Sequence, residues 1–133
     1  MSQENVEIVR RAGEVLERRD WHGAADLFDL NVELHGTVGG LEEGKVLRGL
    51  SEIVRALDVE NDEVWEEHRI EPQEFIDAGD RVVVLQREYQ RSKAGAELVI
   101  DTGTIVDLRD GRIVRIQGYM NPTEALEAAG LSG

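Results

Sequence analysis

The chain has no cysteine, which excludes a disulfide framework, a thiolate metal site and a cysteine nucleophile. Basic side chains are scarce, 15 against 28 acidic ones, and the formal charge of -13 repels phosphate backbones and anionic head groups alike. Neither nucleic acid nor a membrane is an expected partner. No apolar run approaches the roughly 20 residues of a membrane span, and the start MSQENVEIVRR lacks the basic-then-apolar order of a secretory signal. A cytoplasmic protein is the expectation. No Gly-x-Ser-x-Gly elbow, P-loop or dinucleotide fingerprint occurs, and Gly36-Thr37-Val38-Gly39-Gly40 follows a strand without opening a helix. Nucleotide cofactors are therefore disfavoured, and no cofactor is expected. His22, His35 and His68 stand in no metal-binding spacing, and the acidic run with Asp58, Glu60, Asp62 and Glu63 lacks the glycine of an EF-hand loop. That run reads as a solvated face, and no metal site is expected.

What is present suits one domain with a real core, since 41% of the 133 residues are hydrophobic and no internal repeat divides them. Val6, Val9, Ala12, Gly13 and Leu16, with Ile8 and Val15 beside them, fall at helical spacing after Ser2, a candidate N-cap. Glutamates early and arginines late in this segment complement the helix dipole. Asp20 is placed to cap a second helix carrying Ala24, Ala25, Leu27 and Phe28 and ending near Asp29. Val32 and Leu34 alternate with Glu33 and His35 as in a half-buried strand, and the glycines at 36, 39, 40 and 44 predict a long loop after it. A short strand at 45–48 and a helix on Leu50, Ile53, Val54 and Leu57 follow, with the helix expected to fray at 58–67. Turn signals at Ala78-Gly79-Asp80, Lys93-Ala94-Gly95-Ala96 and Asp110-Gly111 then divide four antiparallel strands, at about 65–77, 81–92, 97–108 and 112–120. Pro72 suits an edge or a bulge. Pro122 opens a closing helix to Ala129. Helices first and a strand meander afterwards make an α+β chain, with a curved antiparallel sheet wrapped around the N-terminal helices and a pocket between them.

That order, with the strings VEIVRRAGEVLERRDWHGAADLFDLNVELHG, EFIDAGDRVVVL and DLRDGRIVRIQGYMNPTEALEAAGL, resembles the SnoaL-like branch of the nuclear transport factor 2-like superfamily. The likeness covers nearly all of residues 1–133 and implies a single cone-shaped domain, commonly a homodimer through the outer sheet face. Its members include polyketide cyclases, ketosteroid isomerases and epoxide hydrolases, as well as proteins without chemistry. The isomerase base, tyrosine and protonated aspartic acid align with Leu34, Gly13 and Gly103, none of which moves a proton. The arginine and two aspartates of limonene epoxide hydrolase fall at Arg87, Tyr89 and Gly118, so only the arginine persists. The cyclase aspartate also falls close to Gly118.

The resemblance turns Arg87 and Tyr89 inward, and a buried guanidinium needs a partner, for which Asp101 is the candidate. An odd number of residues in the turn at 93–96 places Asp101 opposite Arg87 or Tyr89, whereas an even number favours Glu88 on the outside. Arg87, Tyr89, Leu34, Trp21, Gly103, Gly118 and Tyr119 are the expected ligand-binding residues. Asp101 or His35 would act as base, with Tyr89 or Arg87 in support. His68 is assigned to a solvated strand face. Two functions remain open: a cofactor-independent cyclase or isomerase acting on an apolar cyclic or polyketide-like compound, and a non-catalytic ligand-binding or dimeric interaction module.

Overall fold

A computed structural model describes residues 2–131, with every side chain among them except those of residues 2, 21 and 60–62. The first helix, α1 (Ser2–Glu17), buries Val9, Ala12 and Val15, the stripe that the spacing predicts. Ser2 lies within the helix rather than capping it. Arg10 bridges Glu7 and Glu14 across the exposed face. Asp20 caps α2 (Trp21–Ala24) through its carboxylate, which accepts from Gly23 N at 3.0 Å. This helix is shorter than the sequence suggests, because the Leu27 carbonyl already accepts from Ile113 N and draws the chain into the sheet.

The first strand, β1 (Phe28–Val38), continues through Gly36 instead of breaking there. A Cβ at Gly36 would stand 1.7 Å from the Glu42 carbonyl oxygen, so this glycine admits the returning chain that forms β2 (Val46–Arg48). Helix α3 (Leu50–Glu63) runs into the acidic segment rather than fraying at its start, anchored by Leu50, Ile53 and Leu57 on the core. The strands β3 (Trp65–Asp77), β4 (Arg81–Ser92), β5 (Glu97–Arg109) and β6 (Arg112–Tyr119) follow the expected meander to within one residue. Pro72 sits on edge strand β3 beside a register shift, where its missing donor costs nothing. Helix α4 (Pro122–Ala128) closes the described chain, with Asn121 capping it.

The sheet order is β2-β1-β6-β5-β4-β3, with β1 parallel to β6 and every other pairing antiparallel. This makes a curved α+β sheet of six strands in which the long meander supplies most of the surface. Helices α1 and α3 cover its inner face, where Phe28, Val32, Val82, Val84, Val106, Leu108 and Ile113 form the main core. A smaller apolar cluster joins Val83 and Ile105 of the outer face to Ala125 of α4. Among the described residues, no helix is long and apolar enough to cross a membrane.

Candidate functional site

Side chains alternate between the two faces along a strand, so the placement of Val82 and Val84 in the main core fixes the rest of β4. Val83, Leu85, Arg87 and Tyr89 point outward, and Gln86, Glu88 and Gln90 point inward beyond the core. The turn after β4 is closed by Ser92 N donating to Ala96 O at 2.9 Å, which leaves three residues, the odd alternative. Gly95 supplies the left-handed conformation this turn needs, with φ +93°.

Arg87 therefore does stand opposite Asp101, with Nε 2.8 Å from the carboxylate. The pair lies on the outer face, its side chains 44% and 58% exposed, and not within the cone as the resemblance implied. The guanidinium holds the Asp101 carboxyl below its ordinary pKa, and that carboxylate raises the pKa of Arg87 in turn. Tyr89 is on the same outer face, with the Arg69 guanidinium 4.4 Å from its ring centre.

The inner face of the meander carries a different constellation. Its successive cross-strand rows are Pro72, Gln86 and Thr102, then Ile70, Glu88 and Ile100, then His68, Gln90 and Leu98. The polar line down β4 is thus flanked by Pro72 and Ile70 on β3 and by Ile100 and Leu98 on β5, with His68 and Thr102 as its polar neighbours. Glu88 Oε1 accepts from His68 Nε2 at 2.9 Å and from Gln90 Nε2 at 3.3 Å, while Oε2 accepts from the Thr102 hydroxyl at 2.6 Å. Behind it, Gln86 Nε2 donates to Thr102 Oγ1 at 3.1 Å, and the Thr104 hydroxyl donates to Gln86 Oε1 at 3.4 Å. Thr102 is 2% exposed, whereas the His68 and Glu88 side chains retain 20% and 14%. The site is thus anchored at its base and reachable at its end. Burial pushes the Glu88 pKa up, but hydrogen bonds from His68, Thr102 and Gln90 prevail and hold it below the ordinary carboxylate value. An ionised Glu88 fixes the His68 proton on Nε2 and leaves the lone pair of the neutral ring on Nδ1.

The other expected residues are dispersed. His35 faces outward, its Nε2 2.8 Å from Glu33, as its parity with Glu33 requires. Leu34 packs on the main core. Gly118 lies on the inner face where a Cβ would meet Thr37 Oγ1 at 2.8 Å, and Gly103 lies under α4, where a Cβ would meet that of Ala125 at 2.7 Å. Both glycines make room for packing. Tyr119 packs with the outer cluster beneath α4. The side chain of Trp21 falls outside the described set. There are two shallow depressions: one of about 60 Å³ beside Arg81, Asp107 and Tyr119 on the outer face, and one of about 170 Å³ at the end of the meander, lined by Tyr89, Arg91 and Val99 and reaching Gln90 and Leu98 at the end of the floor. Among the described residues no group of three or more acidic or histidine side chains is arranged to hold a metal.

The sequence places His68 on a solvated face and, in one alternative, Glu88 outside, whereas the structure sets both on the inner floor with Thr102. The available signal was the polar run Gln86, Glu88, Gln90 continuing the parity of Val82 and Val84. It competed with an equally apolar alternative in Val83 and Leu85.

Solved structures share this architecture. A nuclear transport factor 2-like protein of unknown function from Burkholderia pseudomallei is 25% identical, covering 96% of this chain and 97% of its own, with a TM-score of 0.77. The protein TerC, co-crystallised with polyporic acid, is 25% identical over 96% of this chain and 98% of its own, with a TM-score of 0.76. A candidate polyketide cyclase from Xanthomonas campestris shares the fold at 20% identity, covering 96% and 98%, with a TM-score of 0.71. No curated protein matches at the sequence level. The family model described as a SnoaL-like domain matches residues 9–116, most of the sheet and the helices that cover it, and the chain belongs to that family.

Proposed function

We propose that this SnoaL-like protein binds a small cyclic molecule on the inner floor of its sheet, where His68 backed by Glu88 accepts a proton from it. The observation that carries the reading is the half-buried His68–Glu88–Thr102 cluster set among Ile70, Ile100 and Leu98. An ionised carboxylate behind an imidazole fixes the tautomer and orients the ring, the arrangement general-base chemistry requires. The apolar neighbours suit the faces of a ring system, including a polyketide-like one, and the polar line suits its edge. The relative co-crystallised with polyporic acid supports a small-molecule ligand for the fold.

A second reading, binding without turnover, is favoured by a specific feature. The cluster's hydroxyl donors are both consumed internally, and the amide protons left on Gln86 and Gln90 stand two rows apart on β4, so it offers no converging pair of donors to a developing oxyanion, usually the largest single aid to such chemistry. Turnover of cyclic hydroxy-ketones by the purified protein separates the two. The catalytic reading requires a pH-dependent rate that falls at least about 100-fold in His68→Gln. Saturable binding with no rate above buffer would instead establish the binding module.

Homodimerisation through the outer sheet face belongs to the same proposal. Tyr89 and the half-exposed Val99 lie there beside the Arg87–Asp101 and Arg91–Glu67 ion pairs, whose charges are matched within the chain. Mass by light scattering at micromolar concentration tests it, a monomer being the contrary result.

A further inference from the structure

The hydrogen bonds of the inner floor run in one direction. Thr104 donates to Gln86, Gln86 to Thr102, Thr102 to Glu88, and His68 and Gln90 both donate to Glu88. Each hydroxyl has spent its single proton, and the imidazole N–H is spent on the carboxylate. A ligand thus meets acceptors: Nδ1 of His68, the remaining lone pairs of Glu88, the Gln90 carbonyl and the oxygen of Thr104. The second amide protons of Gln86 and Gln90 are the donors left over. Glu88 also brings a full negative charge to a half-buried position in a molecule of formal charge -13, so a ligand carboxylate would be repelled locally and at long range.

We propose that the floor selects a flat, neutral ring compound with a hydroxyl or N–H donor on its edge and discriminates against carboxylate-bearing analogues. This rests on the floor being the binding site. The donor pairs with His68 Nδ1 or Glu88, and the ring lies against Ile70, Ile100 and Leu98. An analogue lacking the donor leaves buried acceptors unpaired, and a polar site rejects such a ligand more strongly than an apolar pocket rejects a missing methylene.

The test is calorimetric titration of the full chain with 2-naphthol, 2-methoxynaphthalene and 2-naphthoate, with amide NMR shifts locating each. Naphthol should bind at least about 10-fold more tightly than its methyl ether, and naphthoate more weakly than both. In Glu88→Gln the penalty against naphthoate should shrink by about 10-fold or more. The wild-type comparison stands by itself should that variant fold poorly. Equal affinity for naphthol and its ether, or preference for naphthoate, with shifts at Ile70, Ile100 and Leu98, overturns the selectivity while leaving the floor as the site. Shifts confined to the outer face, or no binding of any probe at millimolar concentration, overturns the site itself.

Discussion

Glu88 is the residue on which the cluster turns, because three side chains donate to its carboxylate. Its pKa is lowered in the folded protein, so the unfolded chain takes up its proton first as the pH falls. The stabilisation is therefore complete above the unfolded value, near 4.3 for glutamate, and disappears as the pH falls through the folded one. We predict that Glu88→Gln costs about 1.5 kcal/mol by urea unfolding at pH 7, the low end for charged hydrogen bonds because the group keeps some contact with solvent. The gap between variant and wild type should begin to narrow as the pH falls below the unfolded value of about 4.3 and keep narrowing below it; a gap constant from pH 7 to about 3 would contradict the assigned ionisation. Asp101→Asn, by contrast, should leave ligand binding at the floor unchanged, since the Arg87 pair is on the other face. A loss of binding in that variant would return the site to the outer face. The Arg87 and Asp101 pairing was legible in the sequence because turn length sets parity. Which face the pair occupies was not: Val82, Val83 and Val84 are all buried, so alternation around them marks no inside. His68 was hidden for the same reason, its inward direction being inherited through β4.

Among the elements, α4 covers an apolar patch of the outer face and so makes the parity ambiguous. It packs directly over Gly103, where a methyl group would stand 2.7 Å from the Ala125 Cβ and 3.2 Å from the Pro122 Cα. Gly103→Ala should therefore lift α4 and cost roughly 1–3 kcal/mol, the usual range for overpacking. Ala125→Gly in the same chain should recover part of the loss despite the helix cost of glycine, about 1 kcal/mol. Additive losses in the double mutant would mean that the two do not meet. Strand boundaries were legible to within a residue because three glycine turns punctuate the meander. The second helix was overextended because Leu27 and Phe28 continue an apolar helical pattern while their burial is claimed by the sheet. Gly36 carries the sequence signal of a breaker, yet its lack of a side chain lets another segment approach the strand.

For the whole molecule, the cone sorts its chemistry by face. The outer surface of the meander is laced with ion pairs such as Arg81 with Asp107 at 2.8 Å and Arg69 with Glu71 at 3.3 Å. The inner surface passes from the apolar core through Thr102 and Gln86 to the His68–Glu88 end. Fold and family followed from element order and the strings that carry turns and core. The candidate site did not, because those framework residues are compatible with either face carrying the polar cluster. The most direct measurement is a crystal structure of the protein as purified and after soaking with 2-naphthol. Ligand density is expected against Ile70 and Leu98, with an oxygen within hydrogen-bond reach of His68 Nδ1 or Glu88. Density confined to the outer face beside Arg87 and Asp101, or an inner floor closed over by its own side chains, would contradict it.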